Sequence, residues 1–161
     1  MHFYKFFWLI SVFLVSNCSF NQLAISSYNI ENYIISSDKT IPALLNTRIR
    51  NVFSFSDGEN NNAKAKIYIK NFSKQDYSIY AGSALRSLEG EITAKIQLKI
   101  QTAKKTHKKD IKIVKRYKSN ELNPFAEKEM IKVIEENIYK EILDEIIREV
   151  NFFEMLILGY K

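Results

Sequence analysis

The sequence has few of the residues that build disulfides, metal centres and catalytic loops. It contains one cysteine, Cys18, and two histidines, His2 and His107, among 161 residues. One cysteine excludes an internal disulfide and any metal site made only of cysteine, and two histidines leave zinc almost without ligands. The four glycines form neither a phosphate-binding loop nor a nucleophile elbow. The sequence therefore predicts no catalytic residues, no metal, no cofactor and no enzyme activity.

The apolar run near the N-terminus is too short to span a bilayer comfortably. It covers residues 6–15, follows Lys5, and suits the h-region of a secretory signal peptide. Cys18 comes shortly after it, at the place of the diacylated cysteine in the lipobox of bacterial lipoproteins, although Asn17 stands where Gly, Ala or Ser is usual. We predict a signal peptide at 1–17 and a lipidated tether at 18–27. An uncleaved anchor, or ordinary cleavage that leaves a free thiol, is the alternative.

The remaining composition is that of an ordinary globular protein with an excess of positive charge. Hydrophobic residues make up 46% and charged residues 26%, and the net charge is +6. Such a charge favours nucleic acid, anionic lipid or lipid phosphate as a partner. The chain is also rich in residues with AT-rich codons, so genome composition is a competing explanation for the lysines.

The most regular stretch of the chain is residues 91–101. Ile and other apolar residues occupy the even positions, and Glu, Thr, Lys and Gln occupy the odd ones. Strict alternation is the period of a β-strand with one dry face and one wet face. We predict that this is the central strand of a sheet whose apolar face is covered.

Three further strands are predicted around it. They cover residues 28–36, 64–70 and 110–118. Residues 71–83 are polar and irregular, which fits either a long hairpin or a frayed extension of the second strand. Residues 104–109 are predicted to be a basic turn, and no run of carboxylates lies near His107 in the sequence.

Two helices are predicted from periodicity and start signals. The first begins near Pro42, with Thr40 as its cap. The second begins at Asn123-Pro124 and continues to about residue 150. Its apolar residues recur every four positions and predict a face that packs on the sheet: Met130, Ile134, Ile138, Ile142 and Ile146.

The order strand, helix, three strands, helix predicts an α+β fold. We expect a two-layer sandwich in which a four-stranded mixed sheet carries both helices on one face. Residues 28–150 would form this single domain, followed by an apolar C-terminal tail at 151–161.

The uncovered face of the predicted sheet is basic. Between residues 95 and 118 there are ten Lys or Arg residues and one acid, Asp110. Clustered cations suit phosphate groups, either of lipid A or of a nucleic-acid backbone. The export signal decides in favour of lipid, because a periplasmic protein does not normally meet nucleic acid, so no nucleic-acid partner is predicted. A solvated strand face without a ligand is the plain alternative.

The lipobox, the element order and the C-terminal part of the chain together resemble the lipopolysaccharide-assembly lipoprotein family of Gram-negative outer membranes (the LptE family). The most specific part runs from the last strand, with Arg116-Tyr117, through Asn120 and Asn123-Pro124 into a Glu-rich helix. The resemblance implies an outer-membrane lipoprotein on the periplasmic side. Such a protein plugs and helps to assemble the β-barrel translocon that exports lipopolysaccharide, and it binds lipopolysaccharide.

Within the resemblance, basic side chains of the sheet contribute to lipopolysaccharide binding. Lys112 is the position that matches best. The other candidates follow from the strand pattern alone: Lys95, Lys99, Lys115 and Arg116. Two other functions stay open, namely a generic periplasmic lipoprotein scaffold or chaperone unrelated to lipopolysaccharide, and a small nucleic-acid-binding domain.

Overall fold

The computed structural model describes residues 33–53, 65–80, 87–119 and 123–158. The predicted signal peptide, Cys18, the tether and the first part of the strand predicted at 28–36 lie outside the described residues. Within the described residues the elements follow the predicted order. They are β1 (Tyr33–Ser37), α1 (Ala43–Val52), β2 (Ala65–Tyr80), β3 (Ser87–Gln101), β4 (Thr106–Lys118) and α2 (Pro124–Leu158).

The four strands form one mixed sheet in the order β1-β2-β3-β4. β1 and β2 are parallel and are connected through α1, whereas β2, β3 and β4 form an antiparallel meander. β3 lies inside the sheet, as its alternation predicted. Both helices contribute side chains to the core on one face of the sheet. The predicted α+β sandwich is therefore confirmed.

The apolar face of β3 is the centre of this core. Ile92, Ile96 and Ile100 are almost completely buried, and Leu45 and Ile49 of α1 have no exposed surface. Each such side chain contributes about 1.5–3 kcal/mol when it is removed from water. The alternation that defines the strand therefore also fixes which face the helices cover.

α2 begins where the sequence predicted and ends later. The Asn123 side-chain oxygen accepts a hydrogen bond from the Ala126 backbone amide at 3.1 Å, which caps the helix. The predicted end near residue 150 was wrong, because Val150 and Phe153 continue the buried stripe at helical spacing. Part of the predicted apolar tail is thus helix packed into the core, and residues 159–161 lie outside the described part.

Thr40 does not cap α1, in contrast to the prediction. Pro42 occupies the N-cap position and has no side-chain oxygen to accept a hydrogen bond. The Thr40 hydroxyl instead accepts a hydrogen bond from the Phe72 amide at 2.9 Å, and Asp38 accepts one from the Asn71 amide at 2.8 Å. These bonds tie the loop before α1 to an irregularity in β2, where Asn71 adopts a φ of 55°.

The hairpin strands are longer than predicted. β2 continues through Tyr80 and stays paired with β3, which resolves residues 71–80 as an extension of the strand. β4 begins at Thr106, because the Thr102 amide donates to the Lys105 carbonyl at 2.9 Å and closes a short turn. The predicted basic turn at 104–109 is therefore mostly strand.

Neither helix of the described residues combines the length and the apolar character needed to cross a membrane.

Candidate functional site

The open face of the sheet carries four of the five cations selected from the sequence. Lys95 and Lys99 alternate with buried residues of β3, and Lys112 and Arg116 share the same face on β4. Lys95 and Lys112 are direct cross-strand partners. Opposed residues of an antiparallel pair have Cβ atoms about 4.5–5.5 Å apart, so two positive charges are held close together.

Lys115 does not belong to this face. Its cross-strand partner is the buried Ile92, which places Lys115 on the helix side of the sheet. Its ammonium group forms an ion pair with Glu141 of α2. Strand alternation alone separates Lys115 from Lys112 and Arg116, and grouping the three by sequence proximity put Lys115 on the wrong face.

Arg116 lies on the open face but already has an acidic partner. Its Nε donates to Glu91 Oε2 at 3.0 Å across the β3–β4 pair. The carboxylate offsets part of the guanidinium charge. This end of the face is therefore a weaker anion site than its composition indicates.

A second cluster of positive charge surrounds Tyr68 at the opposite end of the open face. The ammonium groups of Lys70 and Lys99 lie 5.6 and 5.3 Å from the centre of the Tyr68 ring, within the range of cation–π attraction. Lys108 is the cross-strand partner of Lys99. None of these three lysines forms an ion pair with a described residue.

These side chains line a depression of about 590 Å³, which we call the Tyr68 depression. Its other walls include Gln97 and Asp110. Asp110 is the one carboxylate of this lining and Lys70 also interacts electrostatically with Asp38, so the three lysines remain in excess of the acids. An aromatic ring beside several ammonium groups suits a ligand that presents phosphates next to an apolar or sugar surface.

Sequence reasoning found Lys99 in this cluster but missed Tyr68, Lys70 and Lys108. The alternation of residues 64–70 already placed Tyr68 on the face of the sheet away from the buried Ile67 and Ile69. What the sequence lacked was the register, which pairs Tyr68 with Lys99 and Lys70 with Gln97. Lys108 was missed because it was assigned to the turn.

On the helix side, His107 has a carboxylate partner from a distant part of the sequence. His107 lies within β4 opposite Ile100, and its Nε2 is 2.7 Å from Glu149 Oε2 of α2. Lys109 also reaches Glu149, at 3.2 Å. Burial alone would raise the pKa of Glu149, but the hydrogen bonds and charges of His107 and Lys109 outweigh it and lower the pKa.

These contacts join α2 to β4 rather than forming a reactive centre. His107 also packs edge-on against Phe152, with ring centres 6.3 Å apart, and beside Phe153. In the described part of the chain, no group of three or more His, Cys, Asp or Glu side chains could hold a metal ion.

The fold is similar to that of bacterial lipoproteins. Rare lipoprotein B from Shewanella oneidensis is 13% identical with a TM-score of 0.67, and the match covers 81% of this chain and 99% of that one. An uncharacterized lipoprotein B from Nitrosomonas europaea is 12% identical with a TM-score of 0.64, and the match covers 78% of this chain and 88% of that one. A minor lipoprotein from Acinetobacter baumannii is 10% identical with a TM-score of 0.61, and the match covers 78% of this chain and 93% of that one.

At these identities the likeness establishes a shared fold. No protein-family model matches the sequence, and no curated protein matches it. The chain thus has the sandwich architecture of these lipoproteins.

Proposed function

We propose that this protein is an outer-membrane lipoprotein that binds lipopolysaccharide and that plugs and helps to assemble the β-barrel translocon exporting it. The observation that carries the proposal is the Tyr68 depression on the open face of the sheet. A lipid A head group offers phosphates to Lys70, Lys99 and Lys108, and its sugar rings can pack on Tyr68.

Lipid anchoring is supported by two independent features. Cys18 follows a signal-like apolar run in the sequence, and the three proteins with similar folds are named as lipoproteins. The barrel-plug role rests on the family resemblance. A sheet with one uncovered face also gives the chain a surface that can contact a surrounding wall or a ligand.

Lipopolysaccharide binding is tested with a charge-reversal pair, Lys99→Asp with Lys108→Asp. A single exposed cation contributes little, but several facing a multiply charged ligand add up. We expect purified lipopolysaccharide to bind the double variant at least tenfold more weakly and with a shallower salt dependence. Lys128→Asp with Lys132→Asp, on the exposed side of α2, makes the same change in charge and should bind as the unchanged protein does.

Two outcomes would contradict this assignment. Equal weakening by both double variants would show that binding follows net charge and not the Tyr68 depression. Unchanged binding with an intact fold would make the basic face an ordinary solvated surface.

The anchor and the barrel partner have tests of their own. Mass spectrometry of the mature protein should show the loss of residues 1–17 and added acyl mass on Cys18, and an intact Met1 would refute the anchor.

Pull-down in detergent should recover one large outer-membrane protein, identified by its mass. Recovery of the acylated chain without a barrel would favour the generic scaffold function.

A further inference from the structure

The C-terminal end of α2 has an exposed apolar surface. Phe152, Met155 and Leu156 are three and four residues apart, share one side of the helix, and are each about half exposed (48–53%). Earlier in the helix, outward positions carry charges such as Lys140 and Arg148. We call Phe152, Met155, Leu156 and the neighbouring Ile157 the apolar end. Its side chains stand together, whereas exposed apolar residues elsewhere on α2, Phe125 and Val133, stand apart.

Cations border the apolar end. The Lys105 ammonium group donates to the Leu156 carbonyl at 2.9 Å, and Lys104 lies next to it in the β3–β4 turn. Both lysines and Ile157 line a cavity of about 560 Å³. Apolar side chains bordered by lysines are the pattern of a surface that lies in the interface of an anionic bilayer.

The N-terminal part of the chain joins the domain at the same end. β1 begins at Tyr33, whose hydroxyl donates to Glu154 of α2 and whose ring lines the same cavity. The described part of the chain therefore begins beside the apolar end. If Cys18 carries a lipid, the chain between Cys18 and Tyr33 can separate the two residues by no more than about 50 Å when fully extended.

We propose that the apolar end is a membrane-contact surface that inserts into the head-group region of an anionic phospholipid leaflet. Phe152, Met155 and Leu156 enter the boundary of the acyl chains, and Lys104 lies at the level of the phosphates. This surface is separate from the Tyr68 depression, which lies on the open face of the sheet. It goes beyond the proposed lipopolysaccharide function and holds whether or not that ligand binds.

The proposal is tested with fluorescence probes in the full chain. Trp8 is the only tryptophan, so Trp8→Phe gives a silent background that also carries Cys18→Ala. Phe152→Trp reports on the apolar end, and Val133→Trp is the matched exposed probe elsewhere on α2. On vesicles of phosphatidylethanolamine and phosphatidylglycerol with brominated acyl chains, we expect a blue shift and strong quenching at position 152 and neither at position 133.

Charge and self-association are checked with the same probes. A cation near an anionic surface contributes about a fivefold change in partitioning, so Lys104→Gln should weaken the quenching titration at position 152 by about that factor. Equal quenching at both positions, or none at position 152, would overturn the proposal. A blue shift at position 152 that needs no vesicles and grows with protein concentration would assign the surface to a second copy and also overturn it.

Discussion

Gly90 lies directly beneath the ring of Tyr117, its cross-strand partner on the helix side of the sheet. A Cβ atom at Gly90 would lie 2.1 Å from Tyr117 Cζ, well inside van der Waals contact. The Tyr117 hydroxyl donates to Asp76 at 3.1 Å, so the ring is held over the glycine from its far end. Burial, with the hydrogen bond and charge of Asp76, raises the pKa of Tyr117 to about 12.

Gly90→Ala should therefore destabilise the protein through overpacking. We expect a loss of about 1–3 kcal/mol in the free energy of unfolding, measured by urea denaturation. In a Tyr117→Ala background the ring is gone, and the same substitution should have almost no further effect. An equal loss in both backgrounds would locate the cost in the Gly90 backbone instead of the contact with the ring.

Glu149 makes the stability of the helix–sheet contact depend on pH. Its pKa is lowered in the folded protein, so its ionised form stabilises the fold above the unfolded pKa of about 4.3. This contribution is lost as the pH falls through the folded value. Glu149→Gln should lower the melting temperature at pH 7, and the difference from the unchanged protein should shrink below about pH 4.

The control for this prediction is Glu136→Gln, because Glu136 is exposed on α2. It should change the melting temperature little at either pH. If the difference caused by Glu149→Gln stayed constant down to pH 3, the ion pairs with His107 and Lys109 would not be its source.

At the scale of elements, periodicity identified the parts of the chain with one wet and one dry side. The alternation of β3 and the four-residue spacing of α2 both correspond to buried faces in the structure, because burial on one side is what imposes the pattern. The distal half of β2 was only one of two possibilities in the sequence, because its side chains at residues 73–78 are all exposed. Pairing with β3 makes it a strand, and that pairing leaves no alternation in the sequence.

The extended end of α2 gives an energetic test of the helix boundary. Ile138→Ala should cost about 2–5 kcal/mol, as expected for a buried isoleucine, and Phe153→Ala about 3–5 kcal/mol. Glu136→Ala should change stability little. Chemical denaturation measures all three. A helix that ended near residue 150 would leave Phe153 in an unpacked tail, and Phe153→Ala would then resemble Glu136→Ala.

At the scale of the whole molecule, the candidate site forms across three strands. The sequence located Lys95, Lys99, Lys112 and Arg116, since alternation within each strand determines its face, but it misplaced Lys115 and missed Lys108. It could not bring Tyr68 and Lys70 of β2 beside Lys99, because register depends on pairing between segments distant in sequence. It also could not show that Glu91 forms an ion pair with Arg116, because the two residues become neighbours only when β3 and β4 pair.

Pairs of lysines on the open face destabilise the sheet, and a role in binding an anionic ligand accounts for their presence. Lys95 faces Lys112, and Lys99 faces Lys108, in direct cross-strand pairs. Like charges in such positions destabilise a sheet by up to about 1 kcal/mol per pair. A surface shaped only by stability would place an acid opposite a base, as Glu89 and Lys118 are placed at the other end of the same two strands.

Lys108→Glu should therefore move stability and binding in opposite directions. Replacing a like-charge pair by an opposite-charge pair should raise the melting temperature by a few degrees at low salt, and this gain should fade near 1 M salt. The same change removes a cation from the Tyr68 depression and should weaken lipopolysaccharide binding.

Lys118→Glu is the matched control, since it creates a like-charge pair with Glu89 outside the depression. It should lower the melting temperature and leave lipopolysaccharide binding unchanged. A loss of both stability and binding in Lys108→Glu would mean that Lys108 supports the fold and that the depression is not arranged for an anionic ligand.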